Sequence, residues 1–156
     1  MINPRILKVV LALEATIAAG VAAQTGAPAP AHLPTHYEIT LVPSDAGAHV
    51  LAEVETNWRL GSTEPIVAQL DSNFRVVRVL MDGKPNTRIS RTMYARGAGD
   101  VYVPHEKLAG DSLTTRIRYH GFPQGGLRAG PNRFGVRTLV AEAATVDASL
   151  WLPVPE

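Results

Sequence analysis

From Val50 to Leu60 the chain alternates without a break: Ala52, Val54, Thr56, Trp58 and Leu60 fall on one side, and Glu53, Glu55, Asn57 and Arg59 on the other. Successive side chains of an extended strand point to opposite faces, so this period of two predicts a long strand with one buried and one wet face. The same rule groups Tyr37, Ile39 and Leu41, and later Leu113, Thr115, Ile117 and Tyr119, the last set with Arg116, Arg118 and His120 on its reverse. No helical period shows after residue 24. Turn chemistry divides the strands, at Pro43-Ser-Asp-Ala-Gly47, Gly61-Ser-Thr-Glu-Pro65 and Asp71-Ser-Asn73. Such spacing, with turn signals every ~8–12 residues, predicts an all-β fold, an antiparallel sandwich or saddle-like domain.

Shorter elements complete this reading. Ile66 to Leu70 is an apolar strand. Val76 to Met81 runs into Asp82-Gly83, a dipeptide suited to the positive φ angles of a two-residue hairpin turn. Pro85 weakens the return strand because it cannot donate a ladder hydrogen bond, which leaves Ile89 to Tyr94 as the candidate partner. Val101 to Val103 is a strand, and Glu106 to Ala109 is expected to form one helical turn closed by Gly110. Gly121 to Gly135, with five glycines, is expected to be a long loop. Val136 to Val140 and Leu150 to Leu152 are expected to be final short strands.

Residues 1–23 have the three parts of a signal peptide: basic Arg5 and Lys8, an apolar stretch from Val9, and the small residues Val21-Ala22-Ala23 before the cleavage point. Glu14 interrupts the apolar stretch, and the run is too short for a good membrane span, so no stable span is expected after cleavage. Secretion or a periplasmic location follows as the expectation. Residues 24–35, rich in proline and alanine, are read as an extended linker, with the domain at 36–156. Cleavage would remove two basic groups and one acid, turning the formal charge of +1 into neutrality. Nothing in that balance calls for nucleic acid. The chain has no cysteine, which excludes a disulfide framework and thiolate metal ligands.

Catalytic signatures are weak. A zinc metalloprotease helix needs His-Glu-x-x-His, so that two histidines share one face and the glutamate serves as base. His105-Glu106 begins that pattern, but Ala109 stands where the second histidine belongs, and the pair is read as exposed loop. His32 and His36 flank Pro34 and are read as exposed linker. Neither a Gly-x-Ser-x-Gly nucleophile turn nor a phosphate loop occurs. Arg75, Arg78, Arg88, Arg91 and Arg96 are read as a solvated face, and Trp58 as core. Trp151 is either core or a contact for another domain.

Several segments stand in the order found in one family. Tyr37-Glu-Ile-Thr-Leu41, Val76-Val-Arg-Val-Leu-Met-Asp-Gly83, Val101-Tyr-Val-Pro104, Leu108-Ala-Gly-Asp111, Arg116-Ile-Arg-Tyr-His-Gly-Phe-Pro123, Gly126-Leu127 and Leu150-Trp-Leu-Pro153 resemble the N-terminal β-domain of M1 (gluzincin) zinc aminopeptidases. The resemblance covers roughly Tyr37 to Pro153. Ser149 replaces the arginine usual in the family's Ala-Arg-x-Trp-Leu-Pro segment, and Val154-Pro155-Glu156 departs from its Asp-x-Pro continuation. What the resemblance implies is a non-catalytic domain that shapes a substrate cleft. The zinc helix and the Gly-Ala-Met-Glu-Asn strand would lie in a catalytic domain absent from this chain, so no catalytic residue, metal ligand or cofactor is expected here, and the zinc belongs to that missing partner. It further implies that Glu142 supplies the acid that meets the substrate's amino terminus. The alternative is a free-standing secreted β-sandwich that binds a peptide, glycan or protein, and a third is a gene remnant with no retained activity.

Overall fold

The computed structural model describes residues 8–9, 31–43, 49–93, 99–123, 125–131, 133–135, 137–141 and 153–155. Among them every regular element is a strand and every pairing is antiparallel. In chain order they are β1 (Lys8–Val9), β2 (His32–Pro43), β3 (Val50–Leu60), β4 (Ile66–Gln69), β5 (Phe74–Met81), β6 (Lys84–Pro85), β7 (Ser90–Met93), β8 (Gly99–Val103), β9 (Ser112–Gly121), β10 (Leu127–Pro131), β11 (Arg137–Ala141) and β12 (Val154–Pro155). A large sheet runs β1-β2-β3-β9-β5-β6, a smaller one β12-β4-β8-β7, and β10-β11 form a separate hairpin.

Alternation in the sequence becomes burial in the structure. Along β3 the residues Val50, Ala52, Val54, Thr56, Trp58 and Leu60 are all buried, and along β9 so are Leu113, Thr115, Ile117 and Tyr119. The apolar side chains among these share one core with Ile66, Val101 and Val103 of the smaller sheet, which places the two sheets face to face as in a sandwich. Phe74 and Tyr119 meet edge to face with ring centroids 5.3 Å apart. Trp58 is buried with its polar end satisfied, since Nε1 donates to Thr115 Oγ1 at 2.8 Å.

The Asp82-Gly83 turn forms as expected, with φ of 47° at Asp82 and 77° at Gly83. The return strand β6 has only two residues, because Pro85 has no N–H to continue the ladder. Here the partner expected at Ile89 to Tyr94 is corrected. Asn86 N donates to Val79 O at 2.9 Å, while its side chain donates to Pro104 O at 2.9 Å. The chain leaves the large sheet at this buried asparagine, and Ser90–Met93 pairs with β8 in the smaller sheet. Arg91 secures the crossing. Its guanidinium donates to the carbonyls of Phe74, Leu70 (3.2 Å) and Asp71 (2.7 Å).

Three further expectations are revised. The linker reading of 24–35 does not extend to its described end, because His32, Leu33 and Pro34 pair with Leu60, Arg59 and Trp58. Proline costs one ladder bond there, and the register shifts between Pro34 and His36, a bulge that absorbs the loss. The helical turn at 106–109 is replaced by a tight turn in which Asp111 N donates to Leu108 O at 3.2 Å and Asp111 Oδ2 accepts from Leu108 N at 3.0 Å. A short acidic side chain that bonds to nearby backbone competes with helix formation. The glycine-rich stretch after Gly121 is not one loop, since it holds β10, which pairs with β11 from Leu127↔Ala141 to Pro131↔Arg137. At the end of the chain, Pro153 is buried and Val154–Pro155 pair with Gln69 and Ala68 at the edge of the smaller sheet. Leu150 to Leu152 and most of 1–23 lie outside the described residues.

Candidate functional site

The outer face of the large sheet carries a ladder of charge across β3 and β9. β3 and β9 pair so that Glu53 stands opposite Arg118, Glu55 opposite Arg116 and Asn57 opposite Thr114. Arg118 Nη2 lies 2.6 Å from Glu53 Oε2, Arg116 Nε lies 2.8 Å from Glu55 Oε2, and Thr114 Oγ1 donates to Asn57 Oδ1 at 2.9 Å. The hydrogen bond to Glu55 holds the Arg116 guanidinium above its ordinary pKa, against the opposing effect of desolvation, with Glu53 and Glu38 adding to the raise. Glu38, Thr40, Glu53, Glu55 and Arg116 line a depression on this face. Arg116 Nε and Nη2 both donate to Glu55 Oε2, and Arg118 Nε and Nη2 both meet Glu53 Oε2, so each guanidinium group is oriented by the carboxylate opposite it.

A second cluster is buried. His32 and His105 meet edge to face with ring centroids 5.4 Å apart, and both are buried. His32 Nε2 lies 3.0 Å from the Glu64 carbonyl oxygen, to which it donates, while His32 Nδ1 and both ring nitrogens of His105 have no hydrogen-bond partner among the described residues. Burial lowers the pKa of His32; the Glu64 carbonyl opposes this and His105 adds to it. The sequence reading placed both histidines in exposed segments, and the structure corrects it. His105 has the same parity as Val101 and Val103, so the inward alternation of β8 carries past Pro104, and that continuation was the available signal. Glu106 does stay exposed, 3.1 Å from Arg88.

Other candidates divide clearly. Trp58 is core, as its alternation predicts. Arg91 leaves the solvated set for the carbonyl clamp described above, and desolvation lowers its pKa, opposed by Asp71. Arg96, Glu142 and Trp151 lie outside the described residues; Glu142 follows directly on Ala141, the last residue of β11. His49 Nε2 and His120 Nδ1 are 3.1 Å apart at one end of the large sheet, beside the exposed ring of Phe122. Among the described residues no group of three or more His, Asp or Glu is placed to hold a metal ion.

No family model matches the chain, and no curated protein matches it. Solved structures do. The M1 zinc metallopeptidase from Deinococcus radiodurans superposes with a TM-score of 0.57 and 20% identity over 81% of this chain and 29% of that one. A two-domain M1 zinc metallopeptidase carrying a single substitution, bound to L-tryptophan, gives 0.56 and 22% over 80% of this chain and 29% of that one. A comparable mutant bound to L-arginine gives 0.52 and 21%, over 82% and 31%. The chain thus has the fold of a β-domain that makes up under a third of M1 zinc metallopeptidases. That agrees with the N-terminal β-domain that its motifs resemble.

Proposed function

We propose that this chain is the non-catalytic β-domain of a two-part, M1-like metallopeptidase, and that it shapes the substrate cleft of a catalytic domain not contained in these residues. The observation that carries the reading is the mismatch in coverage: about four-fifths of this chain superposes on the enzymes, but under a third of each enzyme is accounted for. In this reading zinc and the general base belong to the partner domain, in keeping with a chain whose one His-Glu pair continues to Ala109 and whose Glu106 is engaged by Arg88. In this reading Glu142, the residue after Ala141 in the sequence, presents a carboxylate to the substrate's ammonium group through charge-assisted hydrogen bonds. Residues 1–23 direct export, so the two parts meet in the periplasm or outside the cell.

The test uses the full chain with a catalytic domain from an M1 zinc metallopeptidase expressed without its own β-domain. Alone, the chain is expected to hydrolyse no aminoacyl-coumarin reporter. Mixed with the catalytic domain, it should lower KM for the reporter, and Glu142→Ala should cancel most of that gain. Stoichiometric zinc in the chain together with hydrolysis by the chain alone would sink the proposal, and mixing without any change in KM would remove the cleft-shaping role.

A further inference from the structure

We propose that the start of β2 is an acid-released latch: a proton on the buried His32–His105 pair detaches His32 to Pro34 from the end of β3 while the rest of the large sheet stays closed. The latch is independent of the metallopeptidase reading. Three segments distant in the chain converge on it. His32 stands opposite Leu60 of β3, and its Nε2 donates to the Glu64 carbonyl in the turn that follows. Ala31 O accepts from Gly61 N at 2.8 Å. His105, just after β8, closes the group with its ring edge to face against that of His32. A break in the ladder isolates this end of the strand. The register shifts between Pro34 and His36, and proline has no N–H to donate to a neighbouring strand. Only His32, Leu33 and Pro34 of β2 lie before the shift, so the pairing from His36 to Pro43 can persist when they leave.

Charge decides when they leave. The two rings are only 7% and 8% exposed. Neutral His32 suits the site, because its single N–H serves the Glu64 carbonyl and its other nitrogen needs no donor. Protonation adds a second N–H at Nδ1, which has no partner among the described residues, and a buried donor without an acceptor is costly. A second charge on His105 would repel the first at this separation. Around the pair, Glu64 is exposed and attracts the proton only weakly. Arg59 of β3 stands opposite Leu33 on the wet face, and His36 lies beyond the register shift, opposite Asn57. Beside His105, Glu106 is engaged by Arg88 and Lys107 by Asp82, while Asp111 accepts from Leu108 N. Burial therefore prevails and lowers the pKa of His32. The open end binds the proton more readily than the shut one, so the latch is firm above the ordinary histidine pKa and weakens as pH falls below it. Opening uncovers Leu60, which is buried when the latch is shut.

Amide hydrogen exchange of the full chain, resolved by residue with NMR at neutral pH and at pH about 5, is the test. The Gly61 amide, whose acceptor is Ala31 O, reports the latch; the amides of Val54 and Ile117, in the middle of the large sheet, report the rest. After correction for the intrinsic pH dependence of exchange, Gly61 should be protected at neutral pH and come within about tenfold of the free-chain rate at pH about 5, with Val54 and Ile117 still about a hundredfold slower or more. His105→Phe keeps a ring at the contact without a titratable nitrogen and should reduce the acid effect on Gly61 several-fold. His32→Gln, which can still donate to the Glu64 carbonyl, should remove most of it. Gly61 protection that acid leaves unchanged, or that at pH about 5 still equals that of Val54 and Ile117, overturns the proposal in the unaltered chain, whether or not the variants fold. An undiminished acid effect in either variant overturns it as well.

Discussion

The two faces of the β3–β9 pair are made from the same strands in the same register, yet they are held together by different physics. Inward, Trp58, Val54, Thr115, Ile117 and Tyr119 lose nearly all contact with water. Outward, Glu53, Glu55, Arg116 and Arg118 pair across the strands while staying partly hydrated, the two arginines close to half exposed. Burial of apolar area contributes roughly 25 cal/mol per Å2, whereas an exposed ion pair contributes about 0–1 kcal/mol. Stability therefore resides on the inner face.

Substitutions can break this contrast if it is wrong. The largest effect is expected for Trp58→Ala, which removes a core side chain and strands the Thr115 hydroxyl; a loss of about 3–5 kcal/mol is expected in denaturant unfolding. Gly121→Ala comes next. A Cβ there would lie 2.2 Å from the backbone oxygen of Asn73, where β9 meets both Val50 and Phe74 in register. Backbone must move to admit it, and about 1–3 kcal/mol of destabilisation is expected. An effect of either substitution below that of the surface pairs would mean that the two faces share the load.

Acid should act through the buried His32. The folded-state pKa of His32 lies below its ordinary value, so the unfolded chain binds the proton more readily. Stability from this group is complete above the ordinary histidine pKa and declines as pH falls below it. Melting temperatures measured from neutral to mildly acidic pH are expected to drop, with the slope flattened in His32→Gln, which keeps a donor for the Glu64 carbonyl. An unchanged slope would remove His32 as the cause. The smallest effect is expected on the outer face: a double-mutant cycle on Glu53 and Arg118 should return a coupling of about 1 kcal/mol or less, weakening with salt. A coupling of several kcal/mol would overturn the contrast.

Local rules carried far in this chain. A period of two named the long strands and their buried sides correctly, from Val50 to Leu60 and from Leu113 to Tyr119, because side-chain direction in a strand is set by the backbone itself. Asp82-Gly83 named its own turn for a similar reason, since few residues accept positive φ in succession. The order of short motifs pointed to the M1 β-domain, and the superposition agrees with that fold. Pairing between distant segments was another matter. That Ser90–Met93 joins β8 rather than β5, that His32 meets His105, and that Arg91 reaches three carbonyls across a turn depend on which surfaces must be covered once the sheets stack. Alternation tells a strand which side to bury. What it is buried against is settled by the whole molecule, because apolar area is removed from water by whichever neighbour arrives, whatever its place in the chain.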